Sequence, residues 1–278
     1  MANITAADVN KLRQMTGAGM MDCKKALVES DGDFEKATDY LRKKGQKVAS
    51  NRSDRAANEG IVLARTSADA KKSIIVLVSC ETDFVAKSAD FVKFVNDVAE
   101  FAILQTPKNL EELKASNFNG RTVEENLTDL IGKTGEKMEV AAYELIEAAK
   151  TFAYNHPGNR LGTIVGFNKD NFTGVDQIGK EIAMQIAAMN PVAIDKDNVD
   201  QHTIDREIEI GKEQARQEGK PEDMLEKISL GKLNKFFKER TLLNQEFVRD
   251  TKKTVGQYLS ETDKELKVTV FKRLMLGA

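Results

Sequence analysis

Ile74-Ile75-Val76-Leu77-Val78-Ser79-Cys80-Glu81-Thr82-Asp83-Phe84-Val85 carries a β-branched apolar run straight into a polar turn. A continuous run of this kind predicts a core strand. Thr82 or Asp83 is suited to cap a following helix, which places Phe84 in the first helical turn at the end of a sheet. Two readings of Phe84 stand at this point: a staple that folds back over the helix start, or a ring that projects from the surface.

Outward from that strand, Ile61 to Ala64, Lys137 to Tyr143, Thr151 to Tyr154 and Leu161 to Phe167 have strand character, while Phe91 to Gln105, Val123 to Ile131 and Gln177 to Met189 have helical character. The mixture predicts an α+β fold. A pattern of strand, turn, strand and helix occurs twice, over 60–105 and 152–189, which suggests two similar subdomains.

Upstream lies a miniature three-helix unit. Thr5-Ala6-Ala7-Asp8 reads as a capping signal, and Val9, Leu12 and Met15 fall at helical spacing up to Gly17. Gly19 opens a second helix through Met20, Met21, Cys23, Leu27 and Val28. Asp33 caps a third through Phe34, Ala37, Tyr40 and Leu41, ending at Arg42-Lys43-Lys44-Gly45, where cations suit the negative end of the helix dipole. Downstream, a charged stretch carries a sparse apolar seam: Ile204, Ile208 and Ala215, then Met224, Ile228, Leu233 and Phe236, broken by Gly219-Lys220-Pro221. Two helices with Pro221 early in the second form an antiparallel hairpin, a projecting arm. A short helix near Thr254 to Leu259 and a last strand, Leu266 to Leu274, close the chain. The division expected is 1–46 for the three-helix unit, 47–58 for a linker, 59–149 for one core subdomain, 150–202 for the start of a second, 203–240 for the hairpin and 241–278 for the return.

Composition narrows the function classes. The 278 residues are 41% hydrophobic and 31% charged, enough for two or more packed units. Lys and Arg number 42 against 44 Asp and Glu, so no global positive field favours nucleic acid. The start of the chain has no basic and apolar leader pattern, and the longest apolar run is too short to cross a bilayer; the expectation is a soluble cytoplasmic protein with no membrane partner. Two cysteines, Cys23 and Cys80, and two histidines, His156 and His202, predict neither a disulfide framework nor a zinc site. Gly132-Lys133-Thr134 lacks the glycine and leading strand of a phosphate loop, and Gly17-Ala18-Gly19 reads as a turn between helices. His156, beside Pro157-Gly158-Asn159, reads as a turn residue. No nucleophile, base and orienting group assemble by spacing, while a triad brought together only in space stays open; no metal or cofactor is signalled.

Leu12-Arg13, Thr16-Gly17-Ala18-Gly19-Met20-Met21-Asp22-Cys23-Lys24-Lys25-Ala26-Leu27, Gly32-Asp33 and Thr82-Asp83-Phe84-Val85-Ala86-Lys87 together resemble the signature segments of the translation elongation factor Ts family. The resemblance continues in family order through Arg160-Leu161-Gly162, Gly219-Lys220-Pro221, Gly231-Lys232 and Thr254-Val255-Gly256. It implies a ubiquitin-associated-like three-helix domain, a two-part α+β core with antiparallel sheets, and an antiparallel coiled-coil hairpin. It also implies a guanine nucleotide exchange factor whose partner is elongation factor Tu. On that resemblance Leu12, Met20 and Met21 dock on the partner's nucleotide-binding domain. Asp83 and Phe84, flanked by Thr82 and Val85, enter beside its magnesium and phosphate site, and Gly135 and His156 match weaker contact positions.

Gln185 stands where the family usually has a histidine, Glu246 where a proline is common, and Thr134 where an apolar residue precedes Gly135. The chain also ends just beyond its last strand, without the helical tail of some members. A homodimer through the hairpin stays open. The competing reading, prompted by the three-helix unit, is an adaptor that binds a ubiquitin-like fold without exchange activity.

Overall fold

The computed structural model describes residues 4–277. Three helices come first: α1 (Ala6–Thr16), α2 (Met20–Glu29) and α3 (Phe34–Asn51). Their starts follow from local chemistry. Thr5 and Asp8 form a reciprocal capping box, and the Asp33 carboxylate accepts from the Glu35 and Lys36 N–H groups. Val9, Leu12, Cys23, Ala26, Leu27 and Ala37 form their common core.

The third helix does not end at Gly45. It runs six residues further, to Asn51, so the expected linker begins as helix. The reason is tertiary. Gly45 is buried against Gly132, where an added Cβ would lie 3.0 Å from the Thr128 carbonyl oxygen, and Val48 and Ala49 pack on the core beyond it. The missing side chain serves a helix crossing instead of a C-cap, and burial outweighs the local stop signal.

The first core half contains β1 (Glu59–Thr66), β2 (Lys72–Cys80), α4 (Asp83–Ala86), α5 (Ala89–Gln105), α6 (Leu110–Ala115), the small pair β3 (Asn117–Phe118) and β4 (Arg121–Thr122), α7 (Val123–Thr134) and β5 (Met138–Glu147). The second contains β6 (Lys150–Asn155), β7 (Leu161–Phe167) and α8 (Val175–Met189). After the hairpin helices α9 (Gln201–Gln217) and α10 (Leu225–Arg240), it resumes with β8 (Glu246–Phe247), β9 (Asp250–Thr254), α11 (Val255–Thr262) and β10 (Val268–Met275). Pro221 precedes a short 3-10 turn, Glu222–Met224, instead of lying inside α10.

Two antiparallel three-stranded sheets have orders β1-β2-β5 and β10-β7-β6. In each, the second strand of the subdomain is central and the third returns after intervening helices, so the repeated pattern read from the sequence is a repeated architecture. Alternation along the strands assigns the faces. Ile74, Val76, Val78 and Cys80 of β2 join α5 in one core, whereas Ile75 joins Val62, Ala64, Ile146 and Ile164 between the sheets. The apolar run is continuous because the strand is covered on both faces. Asn155 bridges the sheets, its Oδ1 accepting from Ala64 N–H at 2.7 Å and its Nδ2 donating to Ala64 O at 3.0 Å. On the outer face of β7, Val165 and Phe167 pack with Ile178, Ile182 and Ile186 of α8.

Candidate functional site

The site grows out of the end of β2. Pairing of β2 with β5 stops at Cys80 and Met138, and the chain turns into α4, a helix of four residues with none buried. Thr82 is the cap: its Oγ1 accepts from Val85 N–H at 3.3 Å. Val85 leans on the core, while Phe84 is 83% exposed. The staple reading therefore fails, and the ring projects into solvent. Holding a phenylalanine in water forgoes about 1.5–3 kcal/mol of burial, which makes the exposure informative.

Around the turn lies a set of carboxylates. Asp83 pairs with Lys87 at 2.6 Å, and that hydrogen bond holds its carboxyl below the usual range. Glu81 accepts from Lys137 N–H at 2.7 Å, Arg52 at 2.8 Å and Arg55 at 3.2 Å. Burial acts to raise the Glu81 carboxyl, but these donors outweigh it and hold it down at about 2. Lys137 Nζ also donates to the Ser53 and Arg55 carbonyls at 2.6 and 2.9 Å, which ties the segment after α3 to the same place. Glu136 accepts the Thr82 N–H and hydroxyl. Burial, reinforced by the charges of Glu136 and Glu59, pushes the Cys80 thiol up to about 12, so it stays protonated.

The structure separates the other residues singled out in the sequence. Met20 and Met21, in the first turn of α2, are 53% and 74% exposed and present flexible apolar side chains. Leu12 is fully buried in the three-helix core, beneath that surface. Gly135 is the left-handed cap of α7, φ 72°, with open space where a Cβ would be. His156 lies across the fold in the second half, exposed and paired through Nδ1 with the Tyr154 hydroxyl at 3.0 Å.

Beside His156 is a cavity of about 320 Å³ walled in part by Leu161, Glu181, Gln185, Phe247 and Arg249. Gln185 is satisfied there: its Oε1 accepts from Val248 N–H at 2.9 Å and its Nε2 donates to the Glu246 carbonyl at 3.1 Å. Two of the positions that depart from the family pattern thus meet in space. Glu81 and Glu136 were not identified from the sequence. Glu136 follows Gly135 directly, but its partner is 54 residues away, and no local spacing signals that pairing.

Among the described residues no group of three or more His, Cys, Asp or Glu side chains could hold a metal ion, and no helix is long and apolar enough to cross a membrane. The site offers a projecting aromatic ring, an acid beside it and an exposed methionine pair, which suits contact with a macromolecule more than bond chemistry. Comparison with known proteins gives the family. The family model for elongation factor Ts matches residues 81–278. Elongation factor Ts of Cytophaga hutchinsonii is 52% identical over 278 residues, covering 100% of both chains. That of Christiangramia forsetii is 49% identical over 277 residues, again covering 100% of both, and that of Porphyromonas gingivalis is 52% identical over 277, covering 99% of each. The family match includes the whole Thr82–Val85 turn, and the relatives extend it across the three-helix unit: the chain belongs to the elongation factor Ts family of translation elongation factors.

Proposed function

We propose that the protein is a guanine nucleotide exchange factor that promotes GDP release from elongation factor Tu, with Asp83 and Phe84 entering beside that partner's magnesium and phosphate site, so that GTP can reload. The observation that carries this reading is the exposure of Phe84 on a turn that is tied down from behind. An exchange factor needs no reacting groups of its own; it needs differential binding. A factor that binds the nucleotide-free partner more tightly than the GDP-bound one weakens GDP by the same coupling factor, and the ternary complex then releases it. Met20 and Met21 supply an adaptable docking surface for the same partner, with Leu12 acting from beneath as packing. Gly135, at an open turn one residue from Glu136, contributes a backbone contact in this reading, and His156 a contact from the second half.

Burying one phenylalanine against the distorted partner contributes about 1.5–3 kcal/mol. At about 1.4 kcal/mol per decade, Phe84→Ala is expected to slow stimulated GDP release roughly tenfold to a hundredfold at saturating factor. Its own thermal unfolding should be little changed, because the ring is already in water. Stopped-flow release of fluorescent GDP from elongation factor Tu measures the first, and thermal denaturation of the variant the second. Release at the parent rate would remove Phe84 from the mechanism.

A further inference from the structure

Past Cys80 and Met138 the β2–β5 ladder stops, yet the two chains remain joined by side chains. Glu136 Oε2 accepts from Thr82 N–H at 3.1 Å and its Oε1 accepts from the Thr82 hydroxyl at 2.8 Å. In return Glu81 Oε1 accepts from Lys137 N–H at 2.7 Å. Each carboxylate satisfies donors that the ladder no longer reaches.

The Thr82 hydroxyl is the pivot. It has one hydrogen and two lone pairs. Donating that hydrogen to Glu136 leaves a lone pair facing Val85 N–H, which is the cap of α4. A helix of four residues with no fully buried side chain has little stability of its own, so its direction depends on this cap together with the packing of Val85 and Ala86 on the core. Glu136 is itself held. It follows Gly135, whose N–H donates to Ile131 O at 2.8 Å to close α7, and its own N–H donates to Thr134 Oγ1 at 3.3 Å.

From this geometry we infer that Glu136 is a positioning residue for nucleotide exchange: by fixing Thr82 it fixes the start of α4 and with it the direction in which Phe84 projects. The inference rests on the exchange role of Phe84 proposed above. It assigns Glu136 no contact with the partner or its nucleotide.

The test is a cycle of variants in the full chain. Glu136→Ala should slow GDP release at saturating factor by about threefold to twenty-five-fold, which corresponds to about 0.7–2 kcal/mol at 1.4 kcal/mol per decade. The factor concentration giving half-maximal stimulation should change less than about twofold, since the methionine docking surface is untouched. In a Phe84→Ala background the same substitution should add almost nothing, because it acts through the ring. Glu136→Gln, which keeps the shape but has one acceptor oxygen for the two Thr82 donors, should fall between parent and Glu136→Ala. It should also show faster hydrogen exchange at the Thr82 and Val85 amides, and it provides the test if the alanine variant fails to fold. Full activity of Glu136→Ala alongside a slow Phe84→Ala overturns the positioning role and leaves the exchange reading standing. An additive double variant also overturns it, since Glu136 would then act elsewhere. A Phe84→Ala protein at the parent rate takes both down together.

Discussion

Phe84 stays in water because its neighbours are held more firmly than it is, and Glu81 is the most heavily bonded of them. Three donors from two segments converge on its carboxylate, and the folded value of about 2 lies below the ordinary 4.5. A carboxyl whose value is depressed by folding stabilises the protein above its unfolded value and loses that contribution as pH falls toward the folded one. The sign is therefore fixed: the contribution is whole above pH 4.5 and disappears between 4.5 and about 2. Glu81→Gln should be less stable than the parent at neutral pH, and the gap should close as pH is lowered through that window. Thermal unfolding of both proteins from pH 7 to pH 2 reads this directly. A gap that stays constant would mean that Glu81 contributes through shape and not through its charge.

At the scale of elements, the end of α7 is where the separate parts meet. Its Gly132 receives Gly45 of α3, and its Lys133 side chain fills the space beside Gly17, where an added Cβ would lie 2.7 Å from Lys133 Cε. Its cap leads to Glu136 and so to Thr82. A second close approach sits in β1: Gly60, at φ 140°, has room for no Cβ, which would fall 2.1 Å from the Val78 carbonyl oxygen and 2.8 Å from Ser79 Cα. Gly60→Ala combines forbidden backbone geometry with a backbone clash, so it should cost at least about 1–3 kcal/mol. Urea unfolding measures it, and an unchanged midpoint would contradict the strand register described. Elements whose signals are local were legible in the sequence. Thr5, Asp33 and Thr254 cap the helices they were expected near, and the strand at Ile74 is where its composition put it. What was not legible depends on distant partners. Gly45 after Arg42-Lys43-Lys44 has the look of a helix end, and the approach of Gly132 with the packing of Val48 and Ala49 keeps the helix going. The two-residue strands β3, β4 and β8 are too short to leave a period. For the site, Phe84 was visible as an anomaly of position, Leu12 could not be assigned to core or surface because a core leucine and a docking leucine share the same spacing, and Glu136 left no trace.

Across the whole molecule, the sheets share one interior while the hairpin largely keeps its own. Ala215, Leu225 and Leu233 are buried along the α9–α10 seam, and Gly211 lets the backbones close, with an added Cβ only 3.2 Å from Ser229 Cα. Glu218 and Gln214 hold Lys232 across the seam at 3.2 and 3.0 Å. The root is fixed separately. Val192 N–H donates to Arg240 O at 2.8 Å, Leu242 N–H to Ala193 O at 2.9 Å, and Gln245 Nε2 to Glu239 O at 3.0 Å. Removing Asp205 to Lys238 and closing the gap with a short Gly/Ser linker leaves those three bonds in place, since every partner lies outside the cut. Most of the apolar surface lost with the arm is surface that the arm buried against itself, so the remaining chain should fold and unfold as a cooperative unit. Its denaturant slope should fall, because less surface is exposed on unfolding, while its midpoint moves little. Urea denaturation followed by circular dichroism tests this. A deletion protein that is purified in soluble form yet shows no cooperative transition would make α9 and α10 part of the core, and the second sheet would then depend on them for its packing.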